Sequence, residues 1–219
     1  MSSSNKASSI VYSVATRRNR DAARKALTEF FYPEEPLTLA YRYGREVTVD
    51  DLENSLAFLD QGTVTLATLN DPELGSNAAA APVVGIAIGG PSHAALQVTV
   101  ETQKFTDVMA FLKMVSDRSL PGARGSRPCY NLHCLAVHPA FRGRSIARRL
   151  VQEQLLLAKS ATFDAFTADA TASASAQLLR QLGMQEISRM RFDQYRNERG
   201  EPVFDTIPDA EVITLEQLL

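Results

Sequence analysis

Cysteine is scarce in this chain of 219 residues: Cys129 and Cys134 are its only thiols. Two thiols do not make a disulfide-framed secreted module, so a reducing, cytoplasmic setting is the expectation. Net charge is nearly absent as well. Lys and Arg number 23 against 25 Asp and Glu, a balance of −2. That excludes a general nucleic-acid binder, which relies on phosphate neutralisation. No long apolar run is present. The most apolar stretch, Ala78–Gly90, is broken by Pro82 and three glycines and is too short to cross a bilayer, so no membrane partner is expected. The N-terminus has no uninterrupted apolar segment of the signal-peptide kind. Its Ser and Arg content resembles a transit peptide only until Asp21 follows. A disordered tail over 1–8 and a single domain over 9–219 are the expectation.

Familiar phosphate-binding signatures are missing too. There is no G-x-x-x-x-G-K-[ST] and no G-x-G-x-x-G. Gly143–Ala147 imitates a nucleophile elbow around Ser145, but that arrangement places its histidine after the serine. Here His93, His133 and His138 all precede it. Cys129, His133, Cys134 and His138 crowd into ten residues. Strand alternation sends the first two to one face and the last two to the other. They are therefore read as buried thiols and core or edge histidines, and no metal is expected.

What is present is ordinary globular material, 45% hydrophobic and 22% charged. Patterning predicts strands at 9–15, 63–69, 83–89, 130–137 and 162–168, and a strand pair near 185–195 and 203–215. It predicts a helix over 19–31, with Ala22, Ala23, Ala26, Leu27, Phe30 and Phe31 inward, ended by Pro33 and Pro36. A second starts near Thr48 with a Thr48/Asp51 capping box, a Val49, Leu52, Leu56, Leu59 stripe and a stop at Gly62. Phe105, Val108, Met109 and Leu112 mark a third. Two more follow, over 145–159 with Ala147, Leu150, Val151, Leu155 and Ala158 inward, and over 172–182. Asn70-Asp71-Pro72 reads as a turn and 118–128 as a loop. The β/α alternation points to an α/β fold built around one mixed sheet.

The most informative segment is Asn131–Val151, a strand, a basic glycine turn and a helix. A helix N-terminus offers unpaired N–H groups and the positive end of the dipole, which suits a pyrophosphate. Gly143, Ser145 and Ala147 are small, and Arg142, Arg144, Arg148 and Arg149 supply charge. Arg142-x-x-Ser145 also fits a kinase site, and a solvated basic helix start is the plain alternative.

The run Arg142-Gly143-Arg144-Ser145-Ile146-Ala147 resembles the [QR]-x-x-G-x-[GA] motif of the GNAT N-acetyltransferase superfamily, with Ser145 replacing the first motif glycine. Serine is small and a good helix cap, so the departure reads as mild. The resemblance implies a GNAT-like fold with a mixed, mostly antiparallel central sheet flanked by helices. It implies acetyl-CoA as acetyl donor, its pyrophosphate on the N–H groups of Arg142–Ala147. It also implies that the main chain of Leu135, Ala136 and Val137 pairs with the pantetheine arm.

Within that superfamily the chain is similar to insect-type arylalkylamine N-acetyltransferases over nearly its whole length. Phe30–Leu37 resembles their F-F-x-x-E-P-L with one residue more before Glu35, Leu182-Gly183-Met184 their L-[NG]-[MF], and Tyr195–Phe204 their Y-x-D/N-x-x-G-x-x-V hairpin. The similarity implies Glu35 as the catalytic carboxylate, with Glu34 as its neighbour and decoy. An exposed helix-end carboxylate is the plain alternative for Glu35. Thr171 and Ser175 align with two assisting serines of the family, and helix capping is their plain alternative. The tyrosine acid of other superfamily members is replaced by Leu179. His133 is a second candidate base.

The function implied is acetyl transfer to a small arylalkylamine. Acetylation of a polyamine or peptide amine, or a non-catalytic acyl-CoA-binding module, are the alternatives. The partner expected is a small-molecule amine. Monomer and homodimer stay open.

Overall fold

The structure, a computed structural model, describes residues 9–70, 81–92, 99–119 and 127–219. The expected tail at 1–8, the turn at Asp71-Pro72, the first residues of Ala78–Gly90, His93 and most of the 118–128 loop lie outside the described residues. Seven strands form one sheet in the order β1-β2-β3-β4-β5-β7-β6. They are β1 Ser9–Val14, β2 Val64–Asn70, β3 Val83–Pro91, β4 Cys129–Val137, β5 Ala165–Ala170, β6 Gln185–Arg191 and β7 Glu211–Leu218. Only β4 and β5 run parallel; the other neighbours are antiparallel. The mixed, mostly antiparallel sheet is thus the expected one.

One face of the sheet is closed by α5, Ile146–Ser160, and α6, Ser173–Gln181. Helix α5 buries Ile146, Leu150, Val151 and Ala158. Burying each large aliphatic side chain contributes about 1.5–3 kcal/mol. A Cβ on Gly85 of β3 would meet Ile146 Cγ2 and Leu150 Cδ1 at 3.0 Å, so glycine there lets α5 lie close to the sheet.

The opposite face carries two separate apolar clusters. The first gathers Leu27 and Phe30 with Leu56, Phe58, Leu66, Ile86 and Ile88. The second gathers Leu37 and Tyr41 with Phe111, Phe192, Phe204 and Val212. They come from α1 Arg20–Ala26 and its continuation, α2 Pro36–Ala40, α3 Val49–Ala57, α4 Gln103–Ser119 and the C-terminal segment.

Several expectations are corrected. The helix predicted over 19–31 is regular only to Ala26; Leu27–Phe31 is a widened turn. Pro36 does not end a helix but starts α2, because a fixed φ and a missing N–H are harmless at the first helical position. Val49 is 62% exposed, whereas Asp50 and Asp51 are buried. Met109 is exposed, while Phe111 and Val115 fill the core. Periodicity marks a stripe but cannot see which residues a neighbouring helix covers. Helix α4 runs on to Ser119, past the expected loop start. Val203 and Phe204 are buried as predicted for a strand, yet the strand begins only at Glu211, after Pro208.

The Thr48/Asp51 capping box forms as expected, with Asp51 N–H donating to Thr48 Oγ1 at 3.2 Å and Thr48 N–H to Asp51 Oδ2 at 2.9 Å. Asp51 Oδ2 also accepts from Lys104 Nζ at 2.9 Å, both side chains under 10% exposed. Asp51→Ala therefore leaves a buried ammonium without its carboxylate. A loss of about 3–5 kcal/mol is expected, measured by urea unfolding. A loss below about 1 kcal/mol would show that Lys104 finds another partner.

Candidate active site

The segment Tyr32–Leu37 shapes the site. A residue before proline is pushed out of the helical region. Glu35 accordingly sits at φ −75°, ψ 119°, and its side chain folds back over α2. Its carboxylate accepts the Leu37 N–H at 3.0 Å and the Thr38 N–H at 2.6 Å. Glu35 is thus a helix-end carboxylate, as its plain alternative has it, but half-buried and not exposed. A further donor comes from across the fold. Thr171 follows β5 directly, and its hydroxyl donates to Glu35 Oε1 at 3.2 Å. These two residues, 136 apart in the chain, are thereby joined. Burial pushes the Glu35 carboxyl above the ordinary range, against the lowering effect of its donors.

Thr171 stands before α6 and Ser175 within it, so the two hydroxyls do not lie on one helix face. Ser175 lies within the first turn of α6 and is partly accessible. Ser173 is engaged elsewhere, 3.2 Å from Asp209. Glu34 turns outward and pairs with Arg142 at 2.6 Å, half-exposed.

Strands β4 and β5 part company beside Glu35. Their pairing begins at Cys129↔Ala165 and ends at Leu132↔Ala168, although β4 continues to Val137 and β5 to Ala170. On its other edge β4 stays paired to β3 through Leu135, Ala136 and Val137. The two strands thus form a V that leaves one edge of Leu135–Val137 free of β5. Within it the Val137 carbonyl accepts from Arg142 Nε at 3.2 Å.

The turn after β4 leads into α5. Gly143 has φ +75° and Ser145 φ +60°. Ser145 makes no side-chain cap bond, contrary to the expectation. It occupies a left-handed conformation that the motif glycine adopts freely and that costs another L-residue about 1–2 kcal/mol. The first intrahelical bond runs from Arg149 N–H to Ser145 O, so the preceding amides of the first turn have no intrahelical acceptor. A Cβ on Gly143 would meet nothing within 4 Å, so the approach to the turn is open. The four arginines are not equivalent. Arg142 is held by Glu34 and Val137, Arg149 by Glu153, Arg148 by Gln181, and Arg144 lies over the Phe141 ring. His138 packs edge-on against Phe30 and Phe141, tying the turn to the segment before Glu35.

Between the two apolar clusters the sheet face is polar. It carries Asn131 and His133 on β4, Thr167 and Asp169 on β5, and Thr214 on β7. A bulge in β4, where Ile88 pairs with Cys134 and Gly89 with Leu132, leaves His133 without a β3 partner. The bulge breaks the alternation assumed for Cys129–His138. Cys134 joins the same face as His133, and burial pushes its thiol up to about 12. His133 lies tilted 4.7 Å from the Phe58 ring and keeps an exposed edge, while desolvation by the surrounding protein pushes its pKa down to about 4. Among the described residues no group of three His, Cys, Asp or Glu is placed to hold a metal ion. Asp169 and Asn131 were not singled out from sequence. Their signal was there in the alternation Phe166-Thr167-Ala168-Asp169-Ala170-Thr171, whose polar members share this face.

Comparison with known proteins places this geometry. The model of the acetyltransferase (GNAT) family matches residues 91–184. A crystal structure of mosquito arylalkylamine N-acetyltransferase like 5b is 33% identical, covers 96% of this chain and 100% of its own, and superposes with TM-score 0.86. Drosophila melanogaster polyamine N-acetyltransferase shares the fold at 24% identity, with 96% and 100% coverage and TM-score 0.82. Arylalkylamine N-acetyltransferase 2 from Aedes aegypti does so at 18% identity, with 95% and 98% coverage and TM-score 0.77. No curated protein matches the sequence. A parted β4/β5 pair feeding a glycine turn at a helix start, carried on a chain 33% identical to a solved relative over nearly its whole length, identifies an acetyltransferase: the chain belongs to the GNAT family.

Proposed function

We propose that the protein transfers an acetyl group from acetyl-CoA to the primary amine of a small arylalkylamine, with Glu35 as general base. The observation that carries this reading is the Glu35 carboxylate, raised in pKa and held by Thr171 beside the mouth of the V. The residues fit the donor molecule. The open space at Gly143, the first-turn amides of α5 and the free edge of Leu135–Val137 suit a pyrophosphate and an extended arm. Arg144, Ile146 and Ala147 belong to the same turn, and Arg142 acts there chiefly by bracing the Val137 carbonyl and Glu34. Bound there, acetyl-CoA supplies the thioester carbonyl.

An alkylammonium with a pKa of about 10 must lose a proton before it can attack. A carboxylate raised by burial accepts that proton more readily, directly or through water. Thr171 orients the carboxylate, and the Leu37 and Thr38 amides fix its plane. Ser175, near the same mouth, is the second assisting hydroxyl proposed.

The test is release of free CoA from acetyl-CoA over a panel of amines. Tyramine or serotonin is expected to exceed spermidine in kcat/KM by at least about tenfold, which needs about 1.4 kcal/mol of differential transition-state binding. Equal or better turnover of spermidine, or of a peptide N-terminus, would overturn the arylalkylamine reading. A second reading, acetylation of an amine bearing another cation, is favoured by Asp169. That carboxylate pairs with no Lys or Arg among the described residues. Tight acetyl-CoA binding without turnover of any amine would leave a non-catalytic module.

A further inference from the structure

The polar face beyond Glu35 contains a carboxylate that the acetyl-transfer reading leaves unused. Asp169 is the first residue of β5 past the last β4–β5 pair, Leu132↔Ala168, and so stands on one arm of the V. It points to the polar face, because its neighbours Ala168 and Ala170 pack into the core on the α5 side. Its side chain accepts from Thr214 Oγ1 at 2.7 Å, and the neutral Asn131 amide beside it favours its charged form. Asn131 is braced in turn by Thr167, 3.0 Å away. Asp169 stays partly accessible, and burial raises its pKa. A crowded carboxylate with only neutral donors gains strongly from a further donor brought by a ligand.

Position gives this carboxylate a specific task. Asp169 is the last residue but one of β5, and Thr171 is the first residue after its end. Two strand residues span about 7 Å. Thr171 holds Glu35, so Asp169 lies about that far from the place where the base works. A two-carbon chain carrying a para-substituted ring bridges such a gap, as does a chain of several methylenes. We infer that Asp169 reads the far end of the acceptor amine, receiving a hydrogen-bond donor carried distal to the reacting nitrogen. This rests on the acetyltransferase reading of the same cleft. The donor chemistry is shared by a ring hydroxyl and by a second cation, and the experiment separates them.

The experiment compares the full-length protein with Asp169→Asn on two matched pairs, tyramine against phenethylamine and agmatine against hexylamine. Asparagine keeps the shape and an oxygen for Thr214 but loses the charge. The wild type is expected to favour the donor-bearing member of at least one pair by about tenfold or more in kcat/KM, since a site built for a polar group rejects analogues lacking it. In Asp169→Asn that preference should shrink to within about threefold. The donorless member and acetyl-CoA affinity should stay unchanged. Preference in the tyramine pair identifies a hydroxyl as the donor; preference in the agmatine pair identifies a cation. If Asp169→Asn does not fold, Asp169→Glu decides: its longer arm should move the optimum to a shorter acceptor, such as 4-hydroxybenzylamine over tyramine. No preference in the wild type, a preference that survives in Asp169→Asn, or equal loss on both members of each pair would overturn the inference. Acetylation without distal discrimination sinks this inference alone. No acetylation of any amine sinks the proposed function with it.

Discussion

Glu35→Gln is expected to lower kcat by roughly 10²–10⁴-fold, the worth of a well-placed general base. The substitution is nearly isosteric, and its amide oxygen can still accept from Leu37 or Thr38. Only one of the two cap bonds is put at risk, so stability should fall by about 1 kcal/mol or less. Acetyl-CoA affinity should hold, because the turn at Gly143 is a separate element. The pH profile supplies a second readout. Burial raises the Glu35 pKa, so the inactive protonated form persists to higher pH than for an ordinary carboxylate. Wild-type kcat/KM should therefore fall on the acid side, from a midpoint above the usual carboxylate range, and the Gln variant should lack that limb. An unchanged kcat in Glu35→Gln, together with a large loss in Glu34→Gln, would transfer the role to Glu34. The geometry speaks for Glu35, because Glu34 is committed to Arg142 at 2.6 Å.

Gly143→Asp is expected to weaken acetyl-CoA binding by one to three orders of magnitude in calorimetry. Two like charges about 4 Å apart repel by about 1 kcal/mol in water and about 4 kcal/mol near a protein surface. The backbone itself is a poor explanation for such a loss. A Cβ at Gly143 has open space around it, and aspartate tolerates a left-handed φ better than most residues. Gly143→Ala is the control. It carries the same left-handed φ of +75° without the charge, so its affinity should stay within about tenfold of the parent. Equal affinity for Gly143→Asp and the parent would show that the pyrophosphate sits elsewhere.

These two sites differ in how far they could be read from the chain. The turn at Arg142–Ala147 is contiguous, and its strand–turn–helix order is a local pattern. The same holds for the Thr48/Asp51 cap, closed over three residues. Glu35 was reached through a resemblance. What surrounds it was not readable, because Thr171 and Arg142 come from strands and turns more than a hundred residues away. The capping role assumed for Ser145 failed for a related reason. Residue type predicts a serine cap, but Ser145 takes a left-handed backbone, φ +60°, from which its side chain makes no cap bond.

By itself the sequence determined the β/α order, the mixed sheet, the starts of α3, α5 and α6 and the glycine turn, because hydrophobic period and capping chemistry act over a few neighbouring residues. Only the tertiary structure decided where β4 and β5 separate, that a bulge turns His133 and Cys134 to one face, and that Thr171 at the end of β5 meets Glu35. Strand order and register are settled by packing whole faces against one another, and a shift of one residue in a strand sends every following side chain to the opposite side.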